Sequence, residues 1–202
     1  MRLGLIGGSF DPVHAGHVAM ARAARAELGL ERVLFLPTAR PPHKPDRRMA
    51  PALARYTMVE LALLGEEGLF ASSIEWTPGQ PAYTADTVDR FRAEYPQARI
   101  FLIIGADSFA ELPSWARWRD LVGAVDLAVV PRPGWSVAEL AAGAPEPLCD
   151  AMVAGRVHFL ETPPLPWSST ELRGQLARGE APPAGALPAL VLDYVRKYQL
   201  YR

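Results

Sequence analysis

Arg2-Leu3-Gly4-Leu5-Ile6-Gly7-Gly8-Ser9-Phe10-Asp11-Pro12-Val13-His14-Ala15-Gly16-His17 opens the chain with an apolar run, a glycine turn and two histidines three residues apart. Residues 2–6 read as a short buried strand, and from about Val13 the pattern is helical through Leu28. His14 and His17 then share one face of the first helical turn, where unpaired N–H groups and the helix dipole attract anions. Gly7 and Gly8 carry no side chain that would keep a phosphate away from the backbone. Two imidazoles at the positive end of a helix, beside such a turn, point to a polyphosphate site.

Working outward, short apolar runs recur at 3–6, 33–36, 70–74, 100–104, 127–130 and 157–160. Helical patterns are predicted at 13–28, 51–65, 84–94, 115–122, 169–178 and 187–198. Pro51 suits a first helical turn, and Ser168 with Glu171 has capping-box spacing. Strands alternating with helices specify an α/β chain with an open parallel sheet and helices on both faces. Ligands of such sheets bind beyond the carboxyl ends of the strands, near the switch in strand order. Most of the unusual residues fall in those loops. They include Pro41-Pro42-His43-Lys44 after the second run, Gly105-Ala106-Asp107-Ser108 and Pro113-Ser114-Trp115 after the fourth, Pro131-Arg132-Pro133-Gly134 after the fifth, and Trp167-Ser168-Ser169-Thr170-Glu171-Leu172-Arg173 after the sixth. The Ala/Pro/Gly-rich stretches 141–147 and 181–188 read as surface connections, and a short helix is predicted at 136–142.

With 202 residues, 50% hydrophobic and 21% charged, the chain can build a sizeable core, and one globular domain over 1–202 is expected. A net charge of −1 exerts no general pull toward nucleic acid or a membrane, so any basic site is local. The single cysteine, Cys149, excludes an internal disulfide framework and a cysteine-rich metal site, and reads as a small buried apolar residue. The apolar N-terminal run is interrupted by Gly7, Gly8 and Asp11 and lacks a cleavage pattern, so a cytoplasmic location is expected. The run 100–104 is far shorter than the about 20 residues that span a bilayer.

Neither a G-x-x-x-x-G-K-[ST] loop nor G-x-G-x-x-G after a strand is present. His14, His17, Lys44, Arg173 and the helix starts near Val13 and Ser169 together offer donors and positive charge for a triphosphate, which favours phosphoryl or nucleotidyl transfer. Taken singly, Lys44 reads equally as a solvated lysine, Ser168-Ser169-Thr170 as a helix cap, and Trp115 and Trp118 as core residues on one helical face.

The run Gly7 to His17 resembles the signature of the HxGH nucleotidyltransferase superfamily, and Trp167 to Arg173 resembles its S-S-T-x-x-R motif near the other end of the chain. Pro41-Pro42-His43-Lys44, Tyr83-Thr84-Ala85-Asp86-Thr87, Ile104-Gly105-Ala106-Asp107-Ser108 and Pro113-Ser114-Trp115 narrow the resemblance to the bacterial nicotinate-nucleotide adenylyltransferase family. It implies a Rossmann-like fold and transfer of AMP from ATP to nicotinate mononucleotide, with Mg²⁺ arriving with ATP, and a nucleotidyltransferase role for the whole domain.

By the same resemblance, His14 and His17 contact the ATP phosphates and the transition state, and Gly7, Gly8 and Ser9 let the backbone approach the substrates. Lys44 holds phosphate, Ser168 and Ser169 hold the outer phosphates, and Arg173 clamps them. Asp107 meets a ribose, while Thr84 and the backbone after Trp115 recognise the nicotinate carboxylate and Trp115 stacks on the pyridine ring. Segment 135–156 is longer than usual for the family, a departure that bears on the contacts of a homo-oligomer. The competing readings are the same chemistry on nicotinamide mononucleotide or phosphopantetheine, and a nucleotide-binding regulatory module without turnover.

Overall fold

Six parallel strands stand in the order β3-β2-β1-β4-β5-β6, so the chain reverses its direction of travel across the sheet between β1 and β4. The computed structural model describes residues 1–39, 49–76, 82–161 and 167–202. In chain order the elements are β1 (Arg2–Gly8), α1 (Ala15–Leu28), β2 (Arg32–Pro37), α2 (Ala52–Leu63), β3 (Leu69–Ala71), α3 (Thr84–Glu94), β4 (Arg99–Gly105) and α4 (Ala106–Glu111). After a single 3₁₀ turn at Leu112–Ser114 follow α5 (Trp118–Ala124), β5 (Asp126–Val130), α6 (Val137–Ala142), α7 (Glu146–Val153), β6 (Val157–Phe159), α8 (Ser169–Ala177) and α9 (Ala189–Lys197).

Alternation along the central strand builds two cores. Phe101 and Ile103 of β4 point to the face covered by α1, α2, α8 and α9, whereas Ile100, Leu102 and Ile104 point to the face covered by α3, α4, α5 and α7. Both faces of the inner strands are therefore buried, which explains why they read as unbroken apolar runs.

Several expected boundaries shift. The third strand ends at Ala71 rather than 74, because a turn from Ser73 to Trp76 closes there. The helix expected at 115–122 starts only at Trp118: Trp115 is extended (φ −75, ψ 147), and Arg117 is left-handed (φ 55, ψ 32). Trp115 and Trp118 thus do not share a helical face. His14 is the N-cap of α1, with extended backbone, and not a residue of its first turn.

Stretch 141–147 is not a surface connection, since it holds the end of α6 and the start of α7, whose Leu148 and Ala151 are buried. Stretch 181–188 is not purely superficial either. Ala186 and Leu187 are buried, and the Ala186 carbonyl accepts from the Ala15 N–H at 2.9 Å. No helix among the described residues is long and apolar enough to cross a membrane.

Candidate active site

A cleft of about 410 Å³ opens beyond the carboxyl ends of β1 and β4, at the switch in strand order. Its floor is Ile6-Gly7-Gly8-Ser9 and Leu102-Ile103-Ile104-Gly105, with His17, Arg132 and Glu75 along its sides and Thr84, Trp115 and Ala116 at another part of the wall. A Cβ on Gly7 would meet nothing within 4 Å, so the backbone here is open to an approaching ligand. At Gly105 a Cβ would stand 2.5 Å from Asp107 Oδ1, and glycine is what lets that carboxylate fold back.

The two histidines form a close pair, with ring centroids 3.7 Å apart and planes tilted by 32°, and His17 meets Phe10 edge-on at 5.0 Å. The His14 N–H donates to His17 Nδ1 at 3.2 Å. With Nδ1 accepting, the neutral ring of His17 carries its proton on Nε2, as a donor. His14 is buried, and its Nδ1 has no hydrogen-bond partner in the protein, an orphan of the kind that marks functional sites.

Burial, aided by the charge of Arg132, holds the His14 pKa at about 4 instead of 6.5. Burial, then His14 and Arg132, keep His17 well below the usual value. Both rings are neutral donors and acceptors near neutral pH. The unfolded chain takes up a proton at His14 near pH 6.5 and the folded chain only near pH 4, so stability falls as pH drops through that window. A loss of about 3 kcal/mol between pH 7 and pH 4 is expected from His14 alone. Denaturant melts across that range check it: His14→Gln should flatten the slope, and an unchanged slope would refute the assignment.

Behind the histidines a buried network fixes the first loop. Arg55 is 1% exposed and donates to three carbonyls, Ser9 at 2.7 Å, Ala39 at 3.1 Å and Ala50 at 3.1 Å. Asp11, equally buried, accepts from the Ala50 N–H and the Tyr201 hydroxyl through Oδ1. Its Oδ2 stands 3.7 Å from Arg173 Nη1, which also donates to the Asp11 main-chain oxygen. Ser169 Oγ donates to the Pro12 carbonyl at 3.0 Å. The start of α8 is thereby attached to the loop that carries His14.

The expected site residues thus divide. Gly7, Gly8, Ser9, His17, Thr84 and Trp115 line one cleft, and the His14 ring lies against that of His17. Asp107 is beside the cleft, with Arg132 Nε 3.6 Å from its Oδ1. Ser169 and Arg173 reach the first loop through their own hydrogen bonds, while Ser168 Oγ accepts from the Glu171 N–H and donates to the Glu171 carboxylate. Half of the capping box therefore forms as the spacing predicts. His43 and Lys44 lie outside the described residues.

The sequence leaves Arg55 and Arg132 open between ligand contacts and surface charges, outside the expected site, and gives no sign of Glu75. Arg132 sits on the cleft wall. Arg55 is no surface charge but a buried side chain whose three carbonyl partners range from Ala50, five residues away, to Ser9 in the first loop. Glu75 is buried on the cleft wall, accepts from Thr38 and Thr87 hydroxyls at 2.8 and 3.1 Å, and has its pKa raised by burial against the opposing effect of those bonds. Among the described residues no group of three or more His, Cys, Asp or Glu is placed to share a metal ion.

Residues 5–175 match the family described as cytidylyltransferase-like. A Bordetella petrii protein named "Probable nicotinate-nucleotide adenylyltransferase" is 43% identical over 100% of this chain and 99% of its own length. A Gloeobacter violaceus protein of the same name is 40% identical over 99% of this chain and 96% of its own. Among solved structures, Plasmodium falciparum nicotinic acid mononucleotide adenylyltransferase complexed with NaAD superposes with a TM-score of 0.80 at 17% identity, covering 99% of this chain and 97% of the other. That likeness establishes the Rossmann-like fold. The chain belongs to the cytidylyltransferase-like family, and within it to the nicotinate-nucleotide adenylyltransferases of bacteria.

Proposed function

We infer that this protein transfers AMP from ATP to nicotinate mononucleotide, releasing pyrophosphate and forming deamido-NAD in NAD biosynthesis. One observation carries the inference: a single cleft at the switch point combines an open glycine turn and a histidine donor with a separate wall of Thr84, Trp115 and Ala116. The full-length relatives bear the name of this activity, which supports the same assignment.

In the reaction a phosphate oxygen of the mononucleotide attacks the α-phosphorus of ATP in line. The new P–O bond forms as the bond to the β-phosphate oxygen breaks, and pyrophosphate leaves with the electron pair. No covalent nucleophile is needed, so the work is alignment and stabilisation of charge. His17 Nε2–H donates to a phosphate oxygen on which charge develops, and His14, held against it, completes the pair. Ser9 and the backbone of Gly7 and Gly8 seat the phosphates, with Lys44 as a further positive charge on them and Ser168, Ser169 and Arg173 closing the far side. Asp107 accepts from a ribose hydroxyl.

At the acceptor end Trp115 stacks on the pyridine ring, while Thr84 and the backbone after Trp115 donate to its carboxylate. Mg²⁺ would come with ATP as part of the substrate and would neutralise charge on its phosphates, since among the described residues no cluster of three or more His, Cys, Asp or Glu is placed to hold it.

The test is pyrophosphate release from Mg-ATP with nicotinate mononucleotide or nicotinamide mononucleotide over a concentration series. A kcat/KM at least about tenfold higher for the nicotinate acceptor is expected, the scale on which one well-placed charged hydrogen bond discriminates. Equal use of both would remove Thr84 and the Trp115 backbone from carboxylate recognition. Release with neither would leave only the nucleotide-binding module.

A further inference from the structure

Arg117 lies outside the residues assigned above, yet its backbone and side chain are both unusual. It is a non-glycine residue in the left-handed region (φ 55, ψ 32), a conformation that persists only where the surroundings impose it. Its guanidinium is shared by three carboxylates. Nη1 donates to Asp86 Oδ1 at 2.8 Å and to Asp89 Oδ2 at 2.9 Å, and Nε donates to Asp120 Oδ2 at 3.0 Å.

These partners belong to two elements. Asp86 and Asp89 lie on α3, whose first residue is Thr84, and Asp120 lies in the first turn of α5, directly after the Trp115-Ala116 segment. Tyr83, Thr84, Trp115 and Ala116 all line the cleft. One planar side chain therefore joins the two parts of the wall that the proposed function assigns to the acceptor. Each pair is solvent-exposed and would contribute little to stability by itself. A network that crosses two elements fixes relative position, and a planar fork is suited to that task as a lysine is not.

Charge adds a second consequence. Asp86 is two residues from Thr84, and without Arg117 three carboxylates would stand uncompensated beside the acceptor wall. An acceptor bearing a carboxylate would be repelled more than a neutral one, since charges within a screening length of about 8 Å still interact at physiological salt.

We propose that Arg117 is a positioning residue that locks the α3 and α5 ends together and biases the cleft toward an acceptor carrying a carboxylate. The proposal deepens the adenylyltransferase reading and rests on it. Steady-state pyrophosphate release tests it with Arg117→Met, Arg117→Lys and the double variant Asp86→Asn/Asp89→Asn, each with nicotinate mononucleotide, nicotinamide mononucleotide and ATP varied in turn.

Arg117→Met should raise KM for nicotinate mononucleotide about tenfold, the scale of coupling within one network, and leave kcat and KM for ATP within about twofold. KM for the nicotinamide acceptor should rise less, so that the preference narrows. Arg117→Lys should recover part of the loss. The double variant, which removes the two pairs to α3 together with two negative charges, should raise KM for the nicotinamide acceptor through lost positioning and raise KM for nicotinate mononucleotide less, so that the preference widens where Arg117→Met narrows it.

Equal changes in all three KM values, or none, would overturn the proposal. If Arg117→Met fails to fold, a Lys variant with unaltered acceptor KM overturns it equally. Failure of the wild-type chain to use nicotinate mononucleotide would instead refute the parent reading, which separates the two.

Discussion

Alanine in place of His17 lowers turnover at least about a hundredfold, the scale set by removing one preorganised donor to a transition state. The geometry explains why the loss falls on the chemical step. The His14 N–H occupies Nδ1, so the Nε2 proton is committed to donation, and no other histidine lines the cleft among the described residues. Burial and the neighbouring charges keep the ring neutral, so the donor costs no proton uptake at neutral pH. The fold survives because the ring lines the cleft and is not packed into either core, and its edge-on contact with Phe10 contributes about 1 kcal/mol. Single-turnover pyrophosphate release, paired with a thermal melt, separates these effects. A folded variant with near-normal turnover would remove His17 from the chemistry.

Arg55→Met acts through stability. It keeps most of the side chain's length but deletes a buried cation that satisfies the Ser9, Ala39 and Ala50 carbonyls. Burial lowers the guanidinium's pKa, while the charge of Asp11 works in the opposite direction. Without the cation, three carbonyls lose their donor and Asp11 loses a compensating charge. A destabilisation of about 4 kcal/mol is expected, in the range for removing one partner from a buried ionic cluster. For a chain of this size that corresponds to a fall in Tm of roughly 10 °C. Chemical denaturation with an unchanged m-value would confirm the size, and a loss below about 1 kcal/mol would show that the loop holds without Arg55.

How much of this was legible in the sequence depended on whether the cause was local. The inner strands were recognisable because burial on both faces leaves no polar position in Ile100 to Ile104. Helix α3 matches its expected bounds, since its apolar period starts and stops with it. Helix α7 was hidden by Gly143, Pro145 and Pro147, which resemble a connection although proline is welcome at a first helical turn.

Helix α5 was anticipated too early because Trp115 and Trp118 have helical spacing, whereas the backbone is extended at Trp115 and left-handed at Arg117, which nothing in the residue types announces. The Gly7 to His17 motif exposed the site through local chemistry alone. Arg55 and Arg132 stayed open between ligand contact and surface charge, and Glu75 gave no sign, because each takes most of its meaning from partners brought close by the fold.

The hydrogen bond from Tyr201 to Asp11 has a bearing on the order of assembly. Asp11 belongs to the loop that carries His14, and its hydroxyl donor lies 190 residues further along the chain. Burial and the charge of Asp11 push the Tyr201 phenol's pKa up, so it remains a donor throughout the physiological range. During synthesis the first loop precedes its partners, and it lacks this donor, and that of Arg173, until α8 and the residues after α9 have followed. The phosphate end of the cleft is therefore completed only when segments made much later than its own loop have docked on it.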